Sequence, residues 1–509
     1  MEAIMLQPLT ERYKADLLGE LSCFDRIVIT GTLPGACFAQ GMTSYLYSHH
    51  ILINDYTKVL ADPMRNHLRE NAQEIAKQHG LVIEHINKPK VRKESVVAKV
   101  LKKRGEAPGL VHIISAMEAC TAYMPWHDKQ DHKTFLRATS GKCLHYYFYF
   151  MDEEVGLCYL RVPTWLPCRL QFYCNGHSWL AQKLATEGIG YATADNSFIR
   201  INDFDRAQKL ADEFRPDDLH RILDRYAEMC CPIMDTFLQK YHWSFMQIEY
   251  STDLVFRDAS KLHPLYEEIS KEAILAAKAD KVSSFLGKKV TPQLALEIGS
   301  RHSNRIEGTC TKHHMGSASV KMYDKFGRVL RIETTSNDVS FFKHHRKVEH
   351  RDGTETHEVA PLKKSIYSLF DLREILLGCN RRYLDFISSL DDHSDGQIAL
   401  KKLSEPKTEN GTTWKGINFF DPKDQSLLRG IQHPEFNIRG LRRADLKKIV
   451  PTLTDSALSR QLKRMRVFGL IKRVAGTYRY YMTKLGRVTV ATCEHLTEFT
   501  IVPALAVLE

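Results

Sequence analysis

Between Ser456 and Arg487 the chain reads SALSRQLKRMRVFGLIKRVAGTYRYYMTKLGR, nine Lys or Arg and no acid, yet its apolar residues keep a folding rhythm. Leu458, Leu462 and Met465 recur at helical spacing, and Gly469 supplies the stop. LIKRVAGTYRYYMT then reads as strand, turn and strand. Upstream, Asp421 and Pro422 open a short helix and LRRADLKKIV is a second, ended by Pro451. Asp455 is placed to cap the third.

Three helices followed by a β-hairpin predict a winged helix-turn-helix over residues 419–509. With Leu458, Leu462 and Met465 turned inward, Ser459, Arg460, Lys463, Arg464 and Arg466 fall on or beside the face that a recognition helix presents to the major groove. Lys472, Arg473 and Arg479 fall on the hairpin, where wings meet phosphate. A basic face that is merely solvated is the alternative. It predicts interspersed acids, and none occurs from 456 to 493.

The charge is not confined to this end. The chain carries a net +11, and INKPKVRKESVVAKVLKKR (86–104) holds eight basic residues against one acid. Lys99, Lys102, Lys103 and Arg104 therefore form a second candidate nucleic-acid surface, on a helix. A hydrophobic content of 43% with 26% charged residues belongs to a folded chain, and 509 residues favour two to four domains. No apolar run reaches 18 residues and the start has no signal-peptide pattern, so a cytoplasmic protein without membrane contact is expected. Twelve cysteines without a CxxC pair then read as buried thiols, with structural zinc the weaker reading.

The body alternates apolar strands (CFDRIVITGTLP, LVIEHI, GLVHIISAM) with helices near 64–79 and 93–104. A hairpin follows, with its acidic turn at 152–156, and then a strand, an Asn175-Gly176 turn and a helix. Beyond 216 helices dominate, interrupted by MQIEYSTDLVF and by the hairpin SVKMYDKFGRVLRIETT, which turns at Phe326-Gly327. The expected architecture is an α/β body with mixed, partly antiparallel sheets. It comprises an N-terminal domain (1–215), a helical and hairpin domain (216–403), a linker (404–418) and the winged helix.

LSRQLKRMRVFGLIKRV with GTYRYYMTKLGR resembles winged-helix regulators of the MarR kind, which implies DNA binding. FDRIVITGTLP, RVPTWLPCRLQFYCNGHSWLA, IEYSTDLVF and KMYDKFGRVLRIETTSND resemble a family of bacterial, mobile-element-like proteins for which no activity carries over. KMYDKFGRVLRIE is also similar, locally, to a hairpin of rolling-circle replication initiators. Those need a His-hydrophobic-His triplet, which this chain lacks, with KHHMG (312–316) the nearest approach.

Metal-dependent phosphoryl transfer needs two or three converging carboxylates, and strand-borne acids among apolar neighbours are the natural candidates. Asp25, Glu249, Asp253 and Glu333 qualify, with Glu249 and Asp253 four apart on one strand face and expected to share Mg²⁺ or Mn²⁺. Each also has a plain reading as an ion-pair partner, Glu333 with Arg331 or Lys321 above all. Lys321, on the face shared with Tyr323 and Lys325, and Lys312, in a loop beside His313 and His314, are candidate phosphate contacts. His177 is either a general base or a structural turn histidine. No P-loop, GxGxxG, GxSxG or HExxH motif is present.

Together these readings predict a nucleic-acid-binding protein of a bacterial mobile element, a metal-dependent nuclease or transposase-like recombinase with winged-helix DNA recognition. The alternative is a non-catalytic DNA-binding regulator or structured-RNA binder. Self-association is left open.

Overall fold

The apolar run from Leu17 to Thr32 forms the spine of the body, a 16-residue strand (β1) buried along most of its length. The computed structural model describes residues 8–88, 90–305, 308–391, 394–433 and 435–506. In chain order the strands that matter are β2 (Glu84–His85), β3 (Gly109–Asp128), β4 (Lys133–Asp152), β5 (Gly156–Pro163), β6 (Leu170–Asn175), β7 (Tyr191–Ala194) and β8 (Ser197–Ile201). After them come β9 (His242–Phe256), β10 (Ile298–Arg305), β11 (Gly308–Met315), β12 (Ala318–Lys325) and β13 (Val329–Ser336).

Among the described residues eleven of these strands form one sheet, in the order β10-β11-β12-β13-β9-β1-β6-β5-β4-β3-β2. The pairs are antiparallel except the short edge pair of β2 with β3. The fold is mixed α/β with helices on the sheet. Period-two geometry sends Tyr250 and Leu254 of β9, Leu330 and Ile332 of β13, and Leu170, Phe172 and Cys174 of β6 into one hydrophobic core. Helix Leu369–Asp391 packs on β9 and β13 within it, and its Asn380 bonds Thr334 Oγ1 and the Tyr250 carbonyl.

Two compact units divide the chain, residues 1–391 and 392–509. The boundary expected at 215 does not separate units, because strands from both sides of it share the sheet: β1 pairs β6 on one edge and β9 on the other. The stretch expected as a linker carries structure too. Lys407–Glu409 pairs with Thr412–Trp414, and Trp414 and Ile417 are buried in the core of the second unit.

In that unit, helices Pro422–Ile431, Glu435–Arg439, Arg443–Ile449 and Asp455–Val467 precede a hairpin (Ile471–Arg473 with Tyr480–Met482) and helix Lys484–Leu496. Leu458, Leu462 and Met465 are buried as their spacing requires. The cap of the third long helix is Thr454, whose hydroxyl accepts from the Ala457 N–H, and not Asp455. Asn175 likewise is a helix cap, accepting from the His177 N–H, where an Asn-Gly turn was expected. The KHHM of the KHHMG run lies in β11 and not in a loop, with β10 and β12 flanking it, and Gly316 follows in the turn.

Candidate functional site: a buried acidic cluster on the sheet and a basic face in the C-terminal unit

Strand β13 and the C-terminal half of β9 are buried on both faces. Charged residues there must be paired, because an isolated charge removed from water is far too costly. Pairing registers place Lys321 of β12 opposite Glu333, and Glu333 opposite Ser251. In the next row stand Tyr323, Arg331 and Asp253. Asp25 joins them through a β-bulge: the register of β1 on β9 shifts between Phe24 and Ile27, so Asp25 and Arg26 both oppose Glu249. Bulges of this kind re-aim side chains at sites, and here the bulge brings a carboxylate 306 residues from Arg331 into its reach.

The site has two halves. In one, the fully buried Arg331 guanidinium donates to Asp253 through Nε and Nη2, both at 2.6 Å, and to Asp25 Oδ2 at 3.0 Å. Its Nη2 also lies 2.9 Å from His177 Nε2 and 3.0 Å from the Asn196 carbonyl. His177 Nδ1 is 3.5 Å from Asp25 Oδ1. Asn175 and Asn196 donate to Asp25 Oδ1 at 2.7 and 2.8 Å. Burial alone would raise both aspartates, but His177 and Arg331 beside Asp25, and Arg331 and His177 beside Asp253, hold the two carboxyls below their ordinary values.

In the other half Lys321 Nζ bridges Glu333 at 2.6 Å and Glu249 at 3.2 Å. Thr335 Oγ1 donates to Glu249 at 3.1 Å, and the Tyr323 hydroxyl donates to Glu333. Burial and then the neighbouring Glu333 charge raise the Glu249 carboxyl. Burial opposes the charge on Lys321, but Glu333 and Glu249 outweigh it and strengthen its hold on the proton. Lys325, bonded to Asn196, is lowered by burial and by Arg331.

Between the halves lies an open cleft of about 300 Å³, with Asp25, Arg26, Asn196, Glu249, Lys321 and Glu333 in its wall. The turn of the β7–β8 hairpin, Asp195 and Asn196, forms one side.

Carboxylate oxygens of Asp25, Glu249 and Glu333 lie within 4.8 Å of one another, a grouping that could hold a metal ion. Three hard oxygen donors suit a divalent cation such as Mg²⁺ or Mn²⁺ better than a soft metal. Asp253 does not belong to this group, contrary to expectation. Four residues of strand separate its backbone from that of Glu249 by about 13 Å, and Arg331 takes both its oxygens. A common face is not a common depth.

The candidate phosphate contacts are sorted by burial. Ser459, Arg460, Lys463, Arg466, Lys472 and Arg473 are exposed in the C-terminal unit, and Arg479 is half-buried, donating to the Arg439 carbonyl. Arg464 is not on that face. It is buried, doubly paired to Asp424 at 2.7 and 2.9 Å and bonded to the Lys415 and Gly416 carbonyls. Lys99, Lys102, Lys103 and Arg104 project from helix Lys93–Arg104, where Val97 faces inward. Lys312 stands opposite Lys321 on the sheet, and Lys321 is engaged by its two glutamates. His313 is buried against Ser300 and the Tyr383 hydroxyl, which leaves phosphate or metal contact to others.

A cleft of about 660 Å³ in the C-terminal unit adds residues the sequence reading passed over: Arg442, Arg443 and Lys447 join Ser459, Arg473 and Tyr478, an aromatic of GTYRYY, in its wall. The basic run LRRADLKK was their signal. In the body Arg26 and Asn196 were missed as site residues, whereas Lys325 and Arg331 were placed on the hairpin face without a role at the site. Among the described residues no helix is long and apolar enough to cross a membrane. Compared with protein-family models, with curated proteins and with solved structures, the chain matches none.

Proposed function

We propose that this is a nucleic-acid-binding protein whose body cuts or transfers strands by metal-dependent phosphoryl transfer and whose C-terminal unit, read as a winged helix, holds duplex DNA. The observation that carries the reading is the convergence of Asp25, Glu249 and Glu333 at an open cleft. These three would hold Mg²⁺ or Mn²⁺, which when bound supplies charge stabilisation and an activated water for displacement at phosphorus. Arg331 and Asn196 position Asp25, and Tyr323 orients Glu333 through its hydroxyl. Lys321 keeps the glutamates apart in charge until an ion or a phosphate arrives. The basic helix Asp455–Val467 and the hairpin after it support duplex binding through Arg460, Lys463, Arg466, Lys472 and Arg473. The resemblance to mobile-element-like bacterial proteins supports a role in moving or cutting DNA.

One observation favours a second reading. Lys321 already satisfies two of the three carboxylates, so the cluster also serves as a buried ion-pair network in a non-catalytic DNA-binding regulator or structured-RNA binder. Replacing Glu249 and Glu333 together by Gln separates the two. Cleavage or strand transfer on duplex and single-stranded substrates with Mn²⁺ should fall by about a thousandfold or more while binding persists. Equal inertness of wild type and variant on every substrate would leave the binding protein.

A further inference from the structure

The sheet face that carries the acidic cluster continues past it. Tyr173 of β6 pairs with Val28 of β1 and with Tyr159 of β5, and Tyr159 pairs with Tyr149 of β4. Their rings form a row: Tyr173 and Tyr159 stack at 5.2 Å and 15°, and Tyr159 meets Tyr149 at 5.2 Å. Arg26, the exposed partner of Asp25 in the bulge, lies over the outer face of Tyr173 at 5.5 Å. With the ring faces occupied by neighbours, the row offers its hydroxyl edges; Tyr159 and Tyr173 are half-buried, and the Tyr159 hydroxyl accepts from Gln171 at 3.4 Å. Burial raises both phenols above their ordinary value, so they are donors at neutral pH. Arg161 and Gln171 stand in the adjacent row, also half-buried. The nearby acid Glu118 is taken up by Lys93 at 2.8 Å, by Arg161 and by the Tyr147 hydroxyl. Glu94 is the other acid near Tyr159, on the helix whose far end carries Lys102, Lys103 and Arg104.

We propose that this surface, from Arg26 across Tyr173 and Tyr159 to Arg161, binds the phosphodiester backbone of an unpaired nucleic-acid strand and leads it to the acidic cluster. It rests on the reading of that cluster as a phosphoryl-transfer centre. Three features select the occupant. Phenol hydroxyls and guanidinium groups are donors that match phosphate oxygens. The row ends beside the cluster, since Arg26 lines the same cleft as Asp25, Glu249 and Glu333. At about 4.8 Å between strands, the accessible part of the row, from Arg26 on β1 to Tyr159 on β5, is some 10 Å long, room for a short stretch of one strand, and beyond it Tyr149 is buried beneath helix Lys93–Arg104. Base edges are not read here, so binding is independent of sequence.

The test uses the full chain without divalent metal and a fluorescent single-stranded oligonucleotide of mixed sequence, with its duplex as the second probe. The variant Arg26→Gln/Tyr159→Phe/Tyr173→Phe removes one charge and two hydroxyls while keeping every ring. Its single-strand affinity should drop at least tenfold, with a log-log salt slope shallower by about 0.7 for each phosphate no longer neutralised, while duplex affinity and thermal midpoint stay within experimental scatter of wild type. Unchanged single-strand affinity overturns the proposal, and so does an equal loss on duplex. The two readings fail separately. If Glu249→Gln/Glu333→Gln abolishes cleavage while the tyrosine variant binds like wild type, the centre stands and the track falls. If wild type cleaves nothing yet the tyrosine variant loses single strands, the surface binds nucleic acid and the phosphoryl-transfer reading falls.

Discussion

Two buried arginines, Arg331 in the body and Arg464 in the C-terminal unit, sit in opposite electrostatic situations. Arg464 meets one carboxylate, Asp424, and two backbone carbonyls, so charge is matched one to one. Around Arg331 the arrangement is different: the carboxylates of Asp25, Glu249, Asp253 and Glu333 are shared among Arg331, Lys321, Lys325 and His177, so no charge there has a single partner. The matched pair closes a helix onto its neighbours. The shared network faces an open cleft, where the carboxylates of Asp25, Glu249 and Glu333 converge. That contrast separates a structural ion pair from a site.

The largest effect expected is at Arg331. Arg331→Met leaves Asp25 and Asp253 buried without their shared partner, and breaking such a pair costs about 3–5 kcal/mol. Urea unfolding followed by tryptophan fluorescence should show it in the body, and adding Asp25→Asn and Asp253→Asn should recover part. A loss below about 1 kcal/mol would mean that water or Lys325 compensates the aspartates, and the contrast with Arg464 would dissolve.

A somewhat smaller loss, about 3 kcal/mol, is expected for Arg464→Met, confined to the second unit because Asp424 belongs to it. This separates Arg464 from its exposed neighbours. Arg460→Glu/Lys463→Glu should change stability by within about 0.5 kcal/mol, since these side chains are exposed and lie over the Trp414 ring at 6.0 and 5.5 Å. Duplex affinity of that variant should nonetheless collapse, with a salt slope shallower by about 0.9 for each phosphate left without its cation. Retained duplex affinity would take the helix Asp455–Val467 out of the DNA-binding face.

These residues also mark where sequence reasoning reaches its limit. Strand-borne acids among apolar neighbours nominated Asp25, Glu249 and Glu333 one by one, because an acid in a buried strand needs a reason. Their grouping was not legible, since it depends on a bulge in β1 and on register across β9, β13 and β12, long-range pairings that no local pattern encodes. Asp253 was misgrouped because period two reports face and not position along the strand. Arg464 was misplaced for a similar reason: its turn on the helix lies beside the apolar stripe, and Asp424 of another helix with the Lys415 and Gly416 carbonyls draws it inward. Helical and hairpin spacing in the C-terminal unit was legible because every partner lies within a short stretch of chain.

The smallest effect tests the shared network most directly. Lys321 holds the two glutamates that a divalent ion would need, so the ammonium and the ion compete for the same oxygens. Lys321→Met removes the competitor and leaves Glu249 and Glu333 facing each other, which should tighten Mn²⁺ binding about tenfold, or 1.4 kcal/mol, in a calorimetric titration. Weaker binding in the variant would show that Lys321 supports the ion and does not stand in for it. The pH dependence sharpens the comparison. Burial and the Glu333 charge raise Glu249 above its ordinary value of 4.5, and only the ionised carboxylate binds metal. Affinity should therefore be full at neutral pH and fade as pH drops through that raised value. Lys321 is what restrains the rise, so in Lys321→Met the fade should begin at higher pH than in wild type. An unshifted midpoint would place the bound ion away from Glu249 and return the cluster to the structural class of the Arg464 pair.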